Sequence, residues 1–182
     1  MKKITLLVLL FVTSVSIAQE KEEIYPQDIN KKHEVKLNVL GVLAFEWLDV
    51  SYEYLINDES SFGTGLLIGL DNDSGIEEYR KFSITPYYRR YFSNKFARGF
   101  FVEGFGMLHT YENNNNFYYG SSTTNNTEDK TEFAVGISVG GKFISRKGFT
   151  TEIYLGVGRN LGGDDNSVAA VGRGGISLGY RF

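Results

Sequence analysis

Ile176-Ser177-Leu178-Gly179-Tyr180-Arg181-Phe182 is the stretch that decides the fold. Apolar side chains at 176, 178, 180 and 182 alternate with Ser177, Gly179 and Arg181, the two-residue period of a β-strand with one greasy and one polar face. The pattern runs through the last aromatic, whereas the ends of soluble domains usually fray. Working outward, the same period recurs along the chain. It predicts strands at 33–41, 47–56, 61–70, 80–92, 99–111, 131–144, 149–159 and 168–182. Val35, Leu37 and Val39 alternate with Glu34 and Lys36; Leu48, Val50, Tyr52, Tyr54 and Ile56 alternate with Asp49 and Glu53. No helical period of useful length appears.

The opposite end of the chain reads as an export signal. Met1-Lys2-Lys3 is basic, residues 4–12 are apolar apart from Thr5, and Ser16-Ile17-Ala18 is a small-x-small cleavage pattern. Cleavage is expected after Ala18, making residues 1–18 a signal peptide. The apolar run is about a dozen residues, short of the roughly 20 that a spanning helix needs. Residues 19–32 are charged and polar, with Pro26, and read as a periplasmic lead-in; residues 33–182 form the barrel domain. Removing Lys2 and Lys3 from the 19 basic residues leaves 17 against 22 acidic ones. No basic patch suggests nucleic acid. The chain has no cysteine, so disulfides and thiolate chemistry are excluded. Its 21 glycines, 14 Phe and 12 Tyr suit a tightly curved sheet with aromatic girdles.

The connections between strands alternate in length. Those near 57–60, 93–95 and 145–148 are tight; 71–78, 112–130 and 160–167 are longer and fall on the other side. Short periplasmic turns facing longer outer loops are the asymmetry of outer-membrane barrels. Charge gathers on one parity: Glu34, Lys36, Asp49, Glu53, Arg89, Glu103, Glu132, Lys142, Glu152 and Arg181 all lie opposite the apolar faces. Near-balanced ions can pair inside a narrow lumen, beside Gly63, Gly65, Gly69, Gly136, Gly140, Gly156 and Gly179, which leave room for long ionic chains. An eight-strand barrel is only just wide enough for its own side chains, so a plugged polar core is expected. Pro86, in mid-strand, suggests a bulge and leaves the facing of residues 87–92 open. Arg90 and Arg159 fall on the apolar parity near strand ends, where they can snorkel. Tyr54, Tyr88, Phe92, Phe143, Phe149, Tyr180 and Phe182 are expected to form a girdle at the periplasmic rim.

Terminal Phe182, with Ile176, Leu178 and Tyr180 at alternate positions before it, resembles the C-terminal assembly signal of outer-membrane barrels. The segments Val35-Lys36-Leu37-Asn38-Val39-Leu40 and Pro86-Tyr87-Tyr88-Arg89-Arg90-Tyr91-Phe92 are similar to segments of small eight-strand barrels of the OmpX and OmpA-barrel type, including barrels of Bacteroidota. The resemblance spans nearly all of residues 33–182. It implies an all-β, eight-stranded, antiparallel up-and-down transmembrane barrel, and insertion by the barrel-assembly machinery.

Candidate chemistry is sparse. His109 is expected near the outer end of its strand with Glu103 on its parity, but no serine is clearly placed to complete a nucleophile–base–acid set. Asp71-Asn72-Asp73-Ser74-Gly75 looks like part of a calcium loop without its later ligands, and Gly162-Gly163-Asp164-Asp165-Asn166 is a second acidic loop. Asn72 and Asn125 head N-x-Ser/Thr sequons. Phe117-Tyr118-Tyr119 lies in the polar stretch 112–130, a candidate binding loop. The expectation is a monomeric, non-enzymatic, cofactor-free barrel of the outer membrane, in contact with lipid and lipopolysaccharide and with a structural or surface-interaction role. A narrow channel or small-solute transporter, a lipid-modifying enzyme and a secreted lipocalin-like carrier are the alternatives.

Overall fold

In the computed structural model, residues 30–70, 80–119, 122–161 and 170–182 are described. The alternating segments form eight strands: β1 (His33–Asn38), β2 (Trp47–Leu55), β3 (Ser60–Gly69), β4 (Arg80–Tyr91), β5 (Gly99–Tyr119), β6 (Ser122–Ile144), β7 (Phe149–Leu161) and β8 (Ala170–Arg181). Each pairs antiparallel with its sequence neighbour, and β1 pairs with β8, which closes an up-and-down barrel. The closing seam is fixed by Glu34↔Arg181 and Val35↔Tyr180, and by backbone bonds in both directions between His33 and Phe182, 2.8 and 3.1 Å long. Where the two strands pair, closure leaves no sheet edge for another chain to pair with.

At the end that holds β1's start and β8's finish (the terminal end), the connections are residues 56–59, 92–98 and 145–148. Asn57 Oδ1 accepts from the Glu59 backbone at 3.0 Å and the Ser60 hydroxyl at 2.8 Å, which tightens the first. Gly148 has φ +93°, and a Cβ there would lie 2.9 Å from the Arg181 carbonyl, so the third turn requires glycine. The second folds across the barrel mouth. Ala97 is fully buried, and its N–H donates to Asp58 O at 2.7 Å.

Four expectations change. The first strand stops at Asn38 instead of reaching 41. Residues Val39–Phe45 form a helix, α1, because the Asn38 side chain accepts the Gly41 N–H as an N-cap and Glu46 ends it in the left-handed region. Much of the expected loop 112–130 is strand: β5 and β6 pair from Gly99↔Lys142 out to Tyr119↔Ser122, far past their other neighbours. Pro86 carries no bulge. Pairing with β5 lapses at Thr85 and Pro86 and resumes at Tyr87↔Phe105 in the register of Ile84↔Leu108; the irregularity lies between Arg80 and Phe82. Facing past Pro86 is therefore regular, with Tyr87, Arg89 and Tyr91 inward and Tyr88, Arg90 and Phe92 outward. Lastly, the inner-face glycines make room mainly for rings. A Cβ on Gly63, Gly136 or Gly140 would come within 2.6 Å of Tyr87, Phe105 or Phe101. Gly179 and Gly65 do face ionic chains, Lys36 for the first and Arg173 and Asp49 for the second.

Candidate functional site: the charged lumen and the cavity above it

Alternation carries Glu34, Lys36, Glu53, Arg89, Glu103, Lys142, Glu152 and Arg181 to the inward face, where each is at most 1 % exposed. They form one network. Glu53 accepts from Lys36, from Arg89 Nη1 at 3.0 Å and from Lys142 Nζ at 2.7 Å, and also from the hydroxyls of Ser61 at 2.6 Å and Tyr91 at 2.5 Å. Arg89 forks onto Glu152 at 2.6 and 2.7 Å and donates Nε to Glu103 at 2.6 Å. Lys36 also reaches Glu152 at 2.9 Å. Lys142 and Arg181 bind the two oxygens of Glu34, each at 2.7 Å, and Arg181 Nη2 donates to Ala97 O at 2.9 Å, tying the network to the mouth-covering turn. Rings frame the charges: the Arg89 guanidinium lies 4.6 Å from the Tyr87 ring and 4.2 Å from that of Phe101. Ions out of water persist only with such saturation, since removing one partner of a buried pair costs about 3–5 kcal/mol.

Beside the network, Leu55, Tyr91, Ala97, Phe101 and Tyr154 pack as one cluster that reaches from the terminal end up to Tyr154; above the network lie Tyr87, Phe105, Met107, Ala134 and Val171. Higher still is a cavity of about 40 Å³. Among its lining residues are Asn38, Trp47, Asp49, Arg80, Ser83 and Arg173. Asn38 Nδ2 donates to Asp49 at 2.9 Å, Arg80 Nη2 to Gly172 O at 3.2 Å, and Arg173 pairs with Glu103. The arrangement can seal the barrel axis and, above the seal, offer cationic donors to a small group.

A family model described as "Protein of unknown function (DUF3575)" matches residues 4–173. The chain belongs to the DUF3575 family. No curated protein and no solved structure matches it.

Of the residues selected from sequence, Asp49 and Glu132 stand outside the network of this DUF3575 chain. Asp49 is half-buried in the cavity wall, and Glu132 accepts from Asn160 Nδ2 at 2.6 Å. His109 is buried, but its partner is Asn160 (Nε2 to Oδ1, 2.9 Å) rather than Glu103, which is held by Arg89, Arg173 and Ser138. Ile176, Leu178, Tyr180 and Phe182 all face outward, 41–52 % exposed. So do the girdle candidates Tyr88, Phe92, Phe143 and Phe149, at 51–65 %, while Tyr54 is half-buried against Phe62. The acidic segments at 71–75 and 162–166 lie outside the described residues, and the 117–119 aromatics are described only in their backbone pairing. Among the described residues no three His, Cys, Asp or Glu side chains group as metal ligands. Sequence reasoning missed Arg173, Arg80 and the inward rings of Tyr87, Phe101, Phe105 and Tyr154. Arg173 shares its parity with Arg181, which is the signal that could have found it.

Proposed function

We propose that this DUF3575 chain is an outer-membrane β-barrel with a structural or surface-interaction role, sealed along its axis and without catalytic activity. The observation that carries the reading is the inverted distribution of polarity. Leu66, Ile137, Val139, Ile153, Leu155, Val157 and Leu178 stand 43–73 % exposed on the outer wall, while four glutamates, two arginines and two lysines are withdrawn inside. A wall of this kind exceeds the few hundred Å² of apolar patch that a soluble monomer tolerates. Lipid is the solvent that makes it favourable, and a closed barrel pairs its strands' backbone groups with one another there. Among the described residues, taking β5 up to Tyr111 and β6 from Thr131, Arg90 and Arg159 are the charged residues on the outward parity, and Lys81, at the irregularity of β4, is part-exposed and paired with Asp129. Arg90 lies at the terminal end, bonded to Glu59 at 2.5 Å.

In this reading the terminal end faces the periplasm, in keeping with the export-signal pattern at 1–18, and the far end meets lipopolysaccharide. The outward terminal strand is what the assembly machinery would engage. A soluble carrier would require the reverse facing of its charges. The test is flotation of the refolded mature chain with phospholipid vesicles, together with its gel mobility before and after boiling. Co-flotation and a heat-dependent shift are expected; a folded monomer that stays in buffer without detergent or vesicles would overturn the reading.

A further inference from the structure

The wall is incomplete beside β1. Its last pairs are Leu37↔Val50 and Asn38↔Ser177, yet β2 begins at Trp47 and β8 at Ala170. Among the described residues, seven of β8, Ala170 to Ile176, thus run on with no strand on that side, roughly 23 Å at the usual rise. α1 fills the gap, packed against β8 and β2. Among the described residues no backbone hydrogen bond joins it to either strand. Side chains serve the open edge instead: Asn38 donates to Gly174 O at 3.2 Å and Arg80 to Gly172 O. The helix is VLGVLAF, with Leu43 80 % exposed on the apolar side. Directly behind it lies the cavity, whose lining takes Gly41 and Phe45 from α1 and Gly172, Arg173 and Gly174 from β8.

We infer that this seam is a lateral binding site for a single-chain anionic amphiphile, its head in the cavity and its chain outside along α1. The inference rests on the membrane reading above. About 40 Å³ holds roughly three waters. That suits a phosphate or carboxylate head and is far below the roughly 300–1,000 Å³ of a pocket that swallows a whole ligand. The charged side chains lining it are two arginines and one aspartate. Arg80 has five N–H donors and spends one on Gly172. Its guanidinium stands 5.7 Å from the Trp47 ring. The apolar helix on the outer side gives the chain a surface, and Asn38 Nδ2 donates to one oxygen of Asp49, the single carboxylate in the lining.

Trp47 is the single tryptophan, so its fluorescence reports on this cavity alone. The refolded chain in dodecyl maltoside is titrated with bromododecyl phosphate. Saturable quenching is expected, with affinity at least tenfold weaker in Arg80→Met and in the cavity-filling Ser83→Leu, both retaining the heat-dependent gel shift. Brominated maltoside and brominated trimethylammonium amphiphiles should quench only in proportion to their micellar fraction, and inorganic phosphate should not compete. Proportional quenching by all three amphiphiles, unchanged saturation in both variants, or competition by inorganic phosphate would each overturn the inference. If vesicle flotation also fails, the membrane reading goes with it; if flotation succeeds, only the lateral site is lost.

Discussion

Glu53 is the residue on which the interior converges. It accepts from three cations and three hydroxyls, those of Ser61, Tyr91 and, at 3.5 Å, Tyr87, so Glu53→Gln strands Lys36, Arg89 and Lys142 with less than their complement of negative charge. A loss of about 3–5 kcal/mol is expected, read as a lower guanidinium midpoint in detergent. Asp49→Asn, at a half-buried site with one hydrogen bond from Asn38, should shift that midpoint far less. Glycines separate in the same way. An added Cβ at Gly63 meets Tyr52 O at 2.4 Å and the Tyr87 ring at 2.5 Å, so Gly63→Ala should cost about 1–3 kcal/mol. Gly104 has nothing within 4 Å, and Gly104→Ala should stay within about 0.5 kcal/mol of the parent. Equal midpoints for these two alanine variants would contradict the packing described. At this scale the sequence was informative where alternation was clean. Lys36 and Arg181 are flanked by apolar neighbours, and parity alone puts them inward. Arg173 lies among Gly172, Gly174 and Gly175, which have no side chains to say which face is apolar. Phe101 and Phe105 escaped because β5 is apolar on both faces.

Elements differ in how much each depends on its neighbours. Beyond Tyr111 and before Phe133, β5 and β6 pair only with each other among the described residues, where β4 begins at Arg80↔Tyr111 and β7 ends at Phe133↔Leu161. Replacing residues 113–127 by Asn-Gly should therefore leave the unfolding midpoint of the barrel where it was; a marked drop would mean the ribbon supports the wall. The outer wall makes the contrary case. Leu155, 73 % exposed in mid-β7, should tolerate Arg poorly, at about 2–4 kcal/mol in a bilayer, measured by equilibrium refolding into vesicles. The ribbon was illegible because its Asn, Ser and Thr do not alternate with apolar residues and its aromatics, Phe117-Tyr118-Tyr119, are consecutive, so the period that marks a strand is missing there. α1 was illegible for another reason. Seven residues are too few for a 3.6 period, and Val39 continues the alternation of Val35 and Leu37, so only the capping chemistry of Asn38 marked the break.

For the molecule as a whole, the network and the two ring clusters stacked about it leave the axis blocked. Reconstituted into planar bilayers, the protein should give no unitary currents; steady discrete openings would show that the interior is not the seal described. The closing seam has a consequence for how the barrel comes into being. Glu34 stands on the first strand, and its two cations come from Lys142 on the sixth and Arg181 on the last. A growing sheet that lacks β8 therefore exposes a carboxylate and a row of amides with no counterpart, and neutrality arrives all at once when the two ends meet across 147 residues. Ring closure over so long a separation is entropically slow. Maturation should accordingly behave as a single late latch: a newly made chain has to be kept from clumping until its final segment is in hand.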